Sequence, residues 1–524
     1  MREPRRTSQR GAVQPTVVFT DPLAAPDRFG RRAAWLFGGI ALLGLGLHAL
    51  AAPHYHFFRD ELYFLACGRH LDFGYVDQPP LGPWMARATE LLTGGSLVGM
   101  RLPMAVIGCL TALLGSLLAR ELGGGLFAQA LAGLAVLLAP VFLGMSGYFS
   151  MNALDQFLWA AGSYALLLRD HRGEPRFWLL FGVIAGVGLA NKLTILFFGL
   201  GLAVGWLVGP LRRDFTSRWP WLGLALALLL GFPYLLWQLH HGWPTLEFYR
   251  HYTHDKLAPL SLAASLGQQA LNLGPLAVPL ALLGLVRLLR GRERWLGAAA
   301  LCVLAACLWT HAKAYTFSPM ATPLFSAGAV GLEQLLHRKP WLRAVSLLAV
   351  GASGLALAPL ALALLPVDEL ARYWAVVNGN APEAERHRPG VLPQYFADQF
   401  GWEEMVDQVA AIYRQLPEKG AAILANNYGE AGAIDHYGPA RGLPRALSGH
   451  NNYVLWRPAP GEGTVAVTVG IDPESLRRSY REVTEVGRTH CRYCMPEEND
   501  APLCVVRKPK GTLSETWPAL RHFD

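Results

Sequence analysis

Charge is what this chain has least of. Asp, Glu, Lys and Arg make up 16% of its 524 residues, against 52% hydrophobic residues and a mean hydropathy of +0.26. Soluble domains carry roughly a quarter charged residues, so that class is excluded. Cysteine is also sparse, at seven residues. Cys109, Cys302 and Cys307 lie in apolar runs, and Cys67 in a mixed segment, where each reads as a small buried filler. The first apolar run is long and no small-residue cleavage site is convincing, so a removed signal peptide is not expected. The net charge of +8 does not indicate a nucleic-acid partner. Its Arg residues sit in short loops between apolar runs, which is a topology signal.

What is present is length of apolar sequence. From Trp35 to about Leu365 the hydrophobic residues come in runs of about twenty, enough to cross a bilayer. About eleven spans result, near 33–52, 99–118, 125–145, 148–168, 177–191, 193–210, 220–239, 263–286, 295–310, 316–336 and 342–365. After Pro366 the composition turns soluble. Three parts follow: a polar, basic tail over 1–32 expected to be disordered and cytoplasmic, a membrane domain over 33–365, and a water-facing domain over 366–524.

The basic loops order the spans. Arg169-Asp170-His171-Arg172, Leu211-Arg212-Arg213, Arg287 to Arg294 and His337-Arg338-Lys339 follow spans four, six, eight and ten, and Arg31-Arg32 precedes span one. All five fall on one side, which the positive-inside bias makes cytoplasmic. An odd number of spans then sends the C-terminal domain outside. The outer side collects the acids, histidines and aromatics. Its first loop, 53–98, contains two helix-like segments, Glu61–His70 and Pro83–Leu92, too short to span. They read as helices in the interface plane, with Tyr63 and Trp84 at headgroup depth.

That loop holds Phe58-Arg59-Asp60-Glu61-Leu62-Tyr63 and Gly74-Tyr75-Val76-Asp77-Gln78-Pro79-Pro80-Leu81. Acids at a membrane boundary are costly and point to function. The two segments resemble the first outer loop of bacterial family 39-type glycosyltransferases, relatives of protein O-mannosyltransferases and of the lipid A aminoarabinose transferase. The resemblance continues through Ser150–Leu154, Asn191–Thr194, Lys313–Pro319, Asn426–Gly432 and Ser448–Tyr453, covering most of 53–460 in order. It implies the type C glycosyltransferase fold: an α-helical polytopic membrane protein with a C-terminal α/β outer domain. It also implies a polyprenyl-phosphate sugar donor, in keeping with the lack of any Gly-rich phosphate loop. The acceptor would be a lipid, glycan or protein. The implied site lies outside the inner membrane of a bacterium. No cofactor is implied, and a divalent metal is left open.

By resemblance Asp60 is the general base of a single inverting displacement, and Glu61 orients or supports it. The alternative is an acidic cap at the N-terminus of a helix. Asp77 falls where relatives carry an acid before Pro-Pro, and some relatives have a phosphate-binding Lys next; here Gln78 stands instead. The phosphate then needs other cations: Arg59, Lys192, Arg250 beside His251, and Lys313 beside Tyr315. Snorkelling towards headgroups is the competing explanation for each. Asn152 and Asp155 would face the inner wall or simply bond between helices.

In the outer domain, Ala421–Ala425, Val465–Val469 and Leu503–Val506 read as strands and Glu403–Leu416 as an amphipathic helix. Cys491-Arg492-Tyr493-Cys494 is weak as a zinc motif and reads as a disulfide in an oxidising compartment, with Cys504 as a possible exchange partner. His240, His241, His251 and His254 match no closed metal site. A transporter or flippase is the competing function. The acids, however, lie at one membrane face, and the chain has no paired broken helices in repeated halves.

Overall fold

The computed structural model describes residues 28–257, 260–378, 388 and 390–524. The tail over 1–27 lies outside the described residues. Each of the eleven apolar runs coincides with a helix or a bent helix pair. Four helices are long and apolar enough to cross a membrane: Gly30–Ala51, Leu97–Glu121, Arg218–His240 and Pro340–Leu360. Three bent pairs raise the number to seven. Phe177–Asn191 and Arg294–Trp309 are shorter apolar helices. Met151–Arg172 and Ala321–Leu335 complete the set.

Two boundaries differ from the hydropathy reading. The first helix begins at Arg28 and takes in Arg31 and Arg32. The run 263–286 is not one straight span: Leu262–Leu273 and Val278–Arg290 are bent by 100°. Gly274 (φ 84°) and Pro275 stand at the break. A left-handed glycine followed by a residue without an N–H ends the first helix there.

Small residues let the helices approach. A Cβ on Gly284 would collide with the Leu324 carbonyl, and one on Gly328 with the Leu280 carbonyl. In lipid, such close backbone packing replaces the hydrophobic drive available in water. At one end of the bundle the basic loops meet. Arg292 bonds Asp170 at 2.9 and 3.0 Å, Arg169 pairs with Asp214, and His171 sits between Glu121 and Glu293. Three of the five basic segments assigned to one face therefore share one end of the bundle.

The C-terminal part is a five-stranded mixed sheet. Its strands are β1 (Ala422–Ala425), β2 (Ala446–Leu447), β3 (Val465–Val469), β4 (Tyr480–Arg488) and β5 (Pro502–Pro509), in the order β2-β1-β3-β5-β4. β1 runs parallel to β2 and β3, whereas β5 runs antiparallel to β3 and β4. The expected strands and helix are present, the helix as Trp402–Gln415.

The sheet domain is not perched on the membrane helices. Leu62, Leu65, Phe149, Trp402, Val406, Ile423, Ala431 and Val467 form one buried cluster. That cluster draws on the first outer loop, the turn before Met151–Arg172 and the outer domain together. The Arg59–Arg69 helix is consequently buried from Glu61 to Gly68. Tyr63, expected at headgroup depth, is only 2% exposed. Trp84 is 39% exposed.

Candidate active site

The Arg59–Arg69 helix starts where Phe58 turns extended and the Glu61 side chain accepts a hydrogen bond from the Phe58 N–H at 2.9 Å. Glu61 is fully buried. It also accepts from the Phe149 N–H at 2.8 Å and from Arg101 at 3.0 and 3.2 Å. Arg101, 4% exposed, spends its other donors on the carbonyls of Ala52, His54 and His56 and on Gln399. Glu61 is thus the helix cap and a tie between the first outer loop, Leu97–Glu121 and the outer domain. Its oxygens are occupied by these donors.

Asp60 differs. Its side chain is 38% exposed, and Oδ1 accepts from the Tyr428 hydroxyl at 2.9 Å. Arg59 Nε lies 3.9 Å from the same oxygen, and its Nη2 lies 3.6 Å from Asp398. The Arg59 guanidinium stands 5.3 Å over the Tyr428 ring. Arg59 is therefore part of the frame around Asp60.

Beside this pair is a second acid. Asp77 accepts from the Tyr63 hydroxyl at 2.9 Å, and Tyr63 in turn accepts from the Asn452 N–H at 3.2 Å. The Tyr63 and Tyr428 rings lie 4.6 Å apart. Burial, with a contribution from the Asp60 charge, pushes the Asp77 carboxyl up to about 7, against the opposing bond from Tyr63. Gln78 is buried and turned towards Cys67 Sγ at 3.9 Å. It is therefore packed beneath the loop.

Two of the four basic candidates, Lys192 and Lys313, converge on one ring. Lys192 Nζ lies 4.7 Å from the Tyr315 centroid and donates to Asn152 Oδ1. Lys313 Nζ lies 5.8 Å from the same centroid and 5.2 Å from that of Tyr252. Asn152 donates onward to the Tyr148 hydroxyl at 3.4 Å, and the Tyr148 ring packs 4.8 Å from Phe58, next to Arg59. Both Asp60 and Tyr315 act electrostatically on the Tyr148 hydroxyl, which burial holds well above its usual value. Contacts from Lys192 through Asn152 and Tyr148 to Phe58 thus connect the lysines to the start of the helix that carries Asp60.

Arg250 is exposed on the Pro244–His251 helix, and His251 Nδ1 meets the Phe523 carbonyl at 3.1 Å. His251 is thus tied to the C-terminal segment. Asp155 bonds Trp159 and Thr194 at 3.1 and 2.7 Å, a helix-to-helix link.

Sequence reading assigned no role to Tyr428 or Arg101, although Tyr428 stands in the quoted Asn426–Gly432 segment. The capping pattern of Asn427 and Glu430, which accept each other's backbone N–H groups, was the available signal. It places Tyr428 at the first turn of a helix.

The cysteine expectation needs correction. All seven are free thiols. The Cys494 N–H donates to Cys491 Sγ at 3.1 Å. Cys504 is fully buried on β5 and belongs to a separate apolar cluster, so it is no exchange partner. Among the described residues, the group with metal-ligand spacing is His450, His522 and Asp524, not the 240–254 histidines. His450 Nδ1 accepts from the Tyr428 N–H at 3.4 Å, and Nε2 faces Asp524 oxygens at 3.0 and 3.1 Å. That tautomer puts the proton on Nε2 and suits a hydrogen bond rather than ligation.

A helical membrane bundle with a helical first outer loop, capped by an α/β domain that closes onto that loop, is the type C glycosyltransferase fold. Within that class the chain resembles the family 39-type group. Residues 77–237 match the family model described as dolichyl-phosphate-mannose-protein mannosyltransferase. The chain is 26% identical to lipid A galacturonosyltransferase RgtD of Rhizobium johnstonii over 294 residues, 54% of this chain and 61% of that protein. It is 27% identical over 174 residues to undecaprenyl phosphate-alpha-4-amino-4-deoxy-L-arabinose arabinosyl transferase 1 of Pseudomonas fluorescens, 32% of this chain and 26% of that protein. The matches thus span less than two thirds of either relative. The crystal structure of ArnT from Cupriavidus metallidurans bound to undecaprenyl phosphate superposes with a TM-score of 0.59 at 17% identity, over 92% of this chain and 98% of that one.

Proposed function

We propose that the chain is a multi-pass glycosyltransferase of the bacterial inner membrane. It transfers a hexosyl or pentosyl group from a polyprenyl-phosphate donor to a lipid, glycan or protein acceptor at the outer face. The observation that carries this reading is a part-exposed carboxylate, Asp60, linked through Phe58, Tyr148 and Asn152 to two lysines gathered on Tyr315. A proton acceptor and a phosphate-binding cluster are the two things the reaction needs. The names of the two curated relatives, both sugar transferases, and the undecaprenyl phosphate bound to ArnT support the same class of donor.

In the proposed step the acceptor's hydroxyl or amine attacks the anomeric carbon from the face opposite the phosphate, and the configuration inverts. The acceptor proton passes to Asp60. The sugar–phosphate bond breaks, and the lipid phosphate leaves with the electron pair. Lys192, Lys313 and Tyr315 take up its growing charge through charge-assisted bonds, with Arg250, exposed on the Pro244–His251 helix, proposed as a further cation. They supply the charge that Gln78 does not. Glu61 supports the reaction indirectly, by fixing the helix that carries Asp60.

The test is an assay of the purified protein with a panel of polyprenyl-phosphate sugars, alongside undecaprenyl phosphate binding. Lys313→Ala and Lys192→Ala should weaken undecaprenyl phosphate binding and slow turnover together. Unchanged binding in both would remove the lysines from the phosphate site. A wild type that turns over no lipid-linked sugar would remove the glycosyltransferase reading itself.

A further inference from the structure

Tyr428 reaches Asp60 from 368 residues away in the chain. It opens the Tyr428–Tyr437 helix of the outer domain, which packs on the Arg59–Arg69 helix. Its ring is held by Tyr63 at 4.6 Å, His450 at 4.9 Å and the Arg59 guanidinium at 5.3 Å. Its backbone N–H donates to His450, and His450 donates to Asp524, which pairs with Lys256 at 3.0 Å. The ring and its backbone are thus fixed independently of the bond to Asp60. Burial keeps the hydroxyl protonated, so towards Asp60 it can only donate.

The two oxygens of Asp60 are consequently not equivalent. Oδ1 receives the Tyr428 hydroxyl and lies nearest Arg59. Among the described residues no hydrogen bond reaches Oδ2 of this part-exposed side chain. A carboxylate pinned through one oxygen has its other lone pairs aimed, and a base must be aimed before its basicity matters.

We infer that Tyr428 is a positioning residue that fixes Asp60 through Oδ1 and leaves Oδ2 to take the acceptor's proton, so that the outer domain completes the active site. The inference rests on the reading of Asp60 as the base. In the step itself the acceptor O–H or N–H bond breaks, its proton passes to Oδ2, and the freed electron pair forms the bond to the sugar. Tyr428 keeps its own proton throughout.

The experiment uses the full-length protein in lipid nanodiscs, with the lipid-linked sugar that the wild type turns over best. Tyr428→Phe keeps the ring packing and removes the hydroxyl. A hydrogen bond to a charged group is worth enough that kcat should fall about 10- to 100-fold. The donor KM and the affinity for undecaprenyl phosphate should stay within about twofold of the wild type, because Tyr428 touches neither lysine. In an Asp60→Asn background the same substitution should add little, since it acts through the group already lost. His450→Gln, which loosens the ring's support and leaves the hydroxyl in place, should cost less than Tyr428→Phe. Wild-type kcat in Tyr428→Phe, an equal loss in both backgrounds, or a larger loss in His450→Gln would each overturn the inference while leaving the proposed function standing. Absence of wild-type turnover would instead take down the function and this inference with it.

Discussion

The Arg101–Glu61 pair is the feature whose removal should be felt most. A surface ion pair contributes up to about 1 kcal/mol and is screened by salt. This pair is 4% and 0% exposed, which places it in the other regime. There, removing one partner costs about 3–5 kcal/mol because the remaining charge is left buried. Arg101→Met keeps most of the side-chain volume, leaves Glu61 facing Met, and frees the carbonyls of Ala52, His54 and His56. Unfolding in detergent, followed by tryptophan fluorescence and by size-exclusion recovery after heating, should show a strongly lowered midpoint. Turnover should fall as well, because Glu61 caps the helix that carries Asp60. Adding Glu61→Gln should recover part of the stability by deleting the stranded charge. A wild-type midpoint in Arg101→Met, or a double variant no more stable than the single, would refute the reasoning.

Three further outcomes follow from the same geometry. The Cys494 N–H and thiol hold the Cys491 thiol down to about 7, so its thiolate is present above that pH. A limiting dose of maleimide at about pH 7.5 should label Cys491 first and leave the buried Cys504 untouched, as peptide mass spectrometry would read. Asp77 holds its proton to about 7 in the folded state against an ordinary value of 3.8. Its contribution to stability is therefore full below about pH 4 and lost as pH rises through about 7. Asp77→Asn should flatten the fall in thermal midpoint between about pH 4 and 7, whereas an unchanged slope would show that another group titrates. Finally, a periplasm-active reporter fused after Asp524 should be active and a cytoplasm-active one silent; the reverse would invert the topology.

Much of the fold was legible because lipid imposes a simple rule: spans must be long and apolar. Hydropathy alone finds all eleven segments, but it averages over the Gly274-Pro275 break, since flanking leucines carry the window across it. β3 and β1 are buried apolar runs and announce themselves. β4, Tyr480–Arg488, is an edge strand rich in charge, the pattern by which edges avoid aggregation, and it lacks the apolar run that marks the other strands. In the site, Asp60 and the lysines stand out because charge near a membrane is costly. Glu61 is harder. Its adjacency to Asp60 suggests shared chemistry, yet one residue along a helix turns the side chain about 100°, here onto Arg101. Tyr428 and Arg101 are invisible to local reading because their partners lie 368 and 40 residues away, and only the closed fold brings them together.

The central claim is that Asp60 takes the acceptor's proton. The most direct measurement compares turnover with donor-lipid binding in Asp60→Asn, using the best lipid-linked sugar from the wild-type panel. The amide keeps the shape and removes the base. Turnover should drop by about 10²–10⁴-fold, while undecaprenyl phosphate binding, which the proposed function assigns to Lys192, Lys313 and burial of the lipid chain, should stay close to wild type. Turnover at the wild-type rate would contradict the account and leave Asp60 as part of a helix N-terminus.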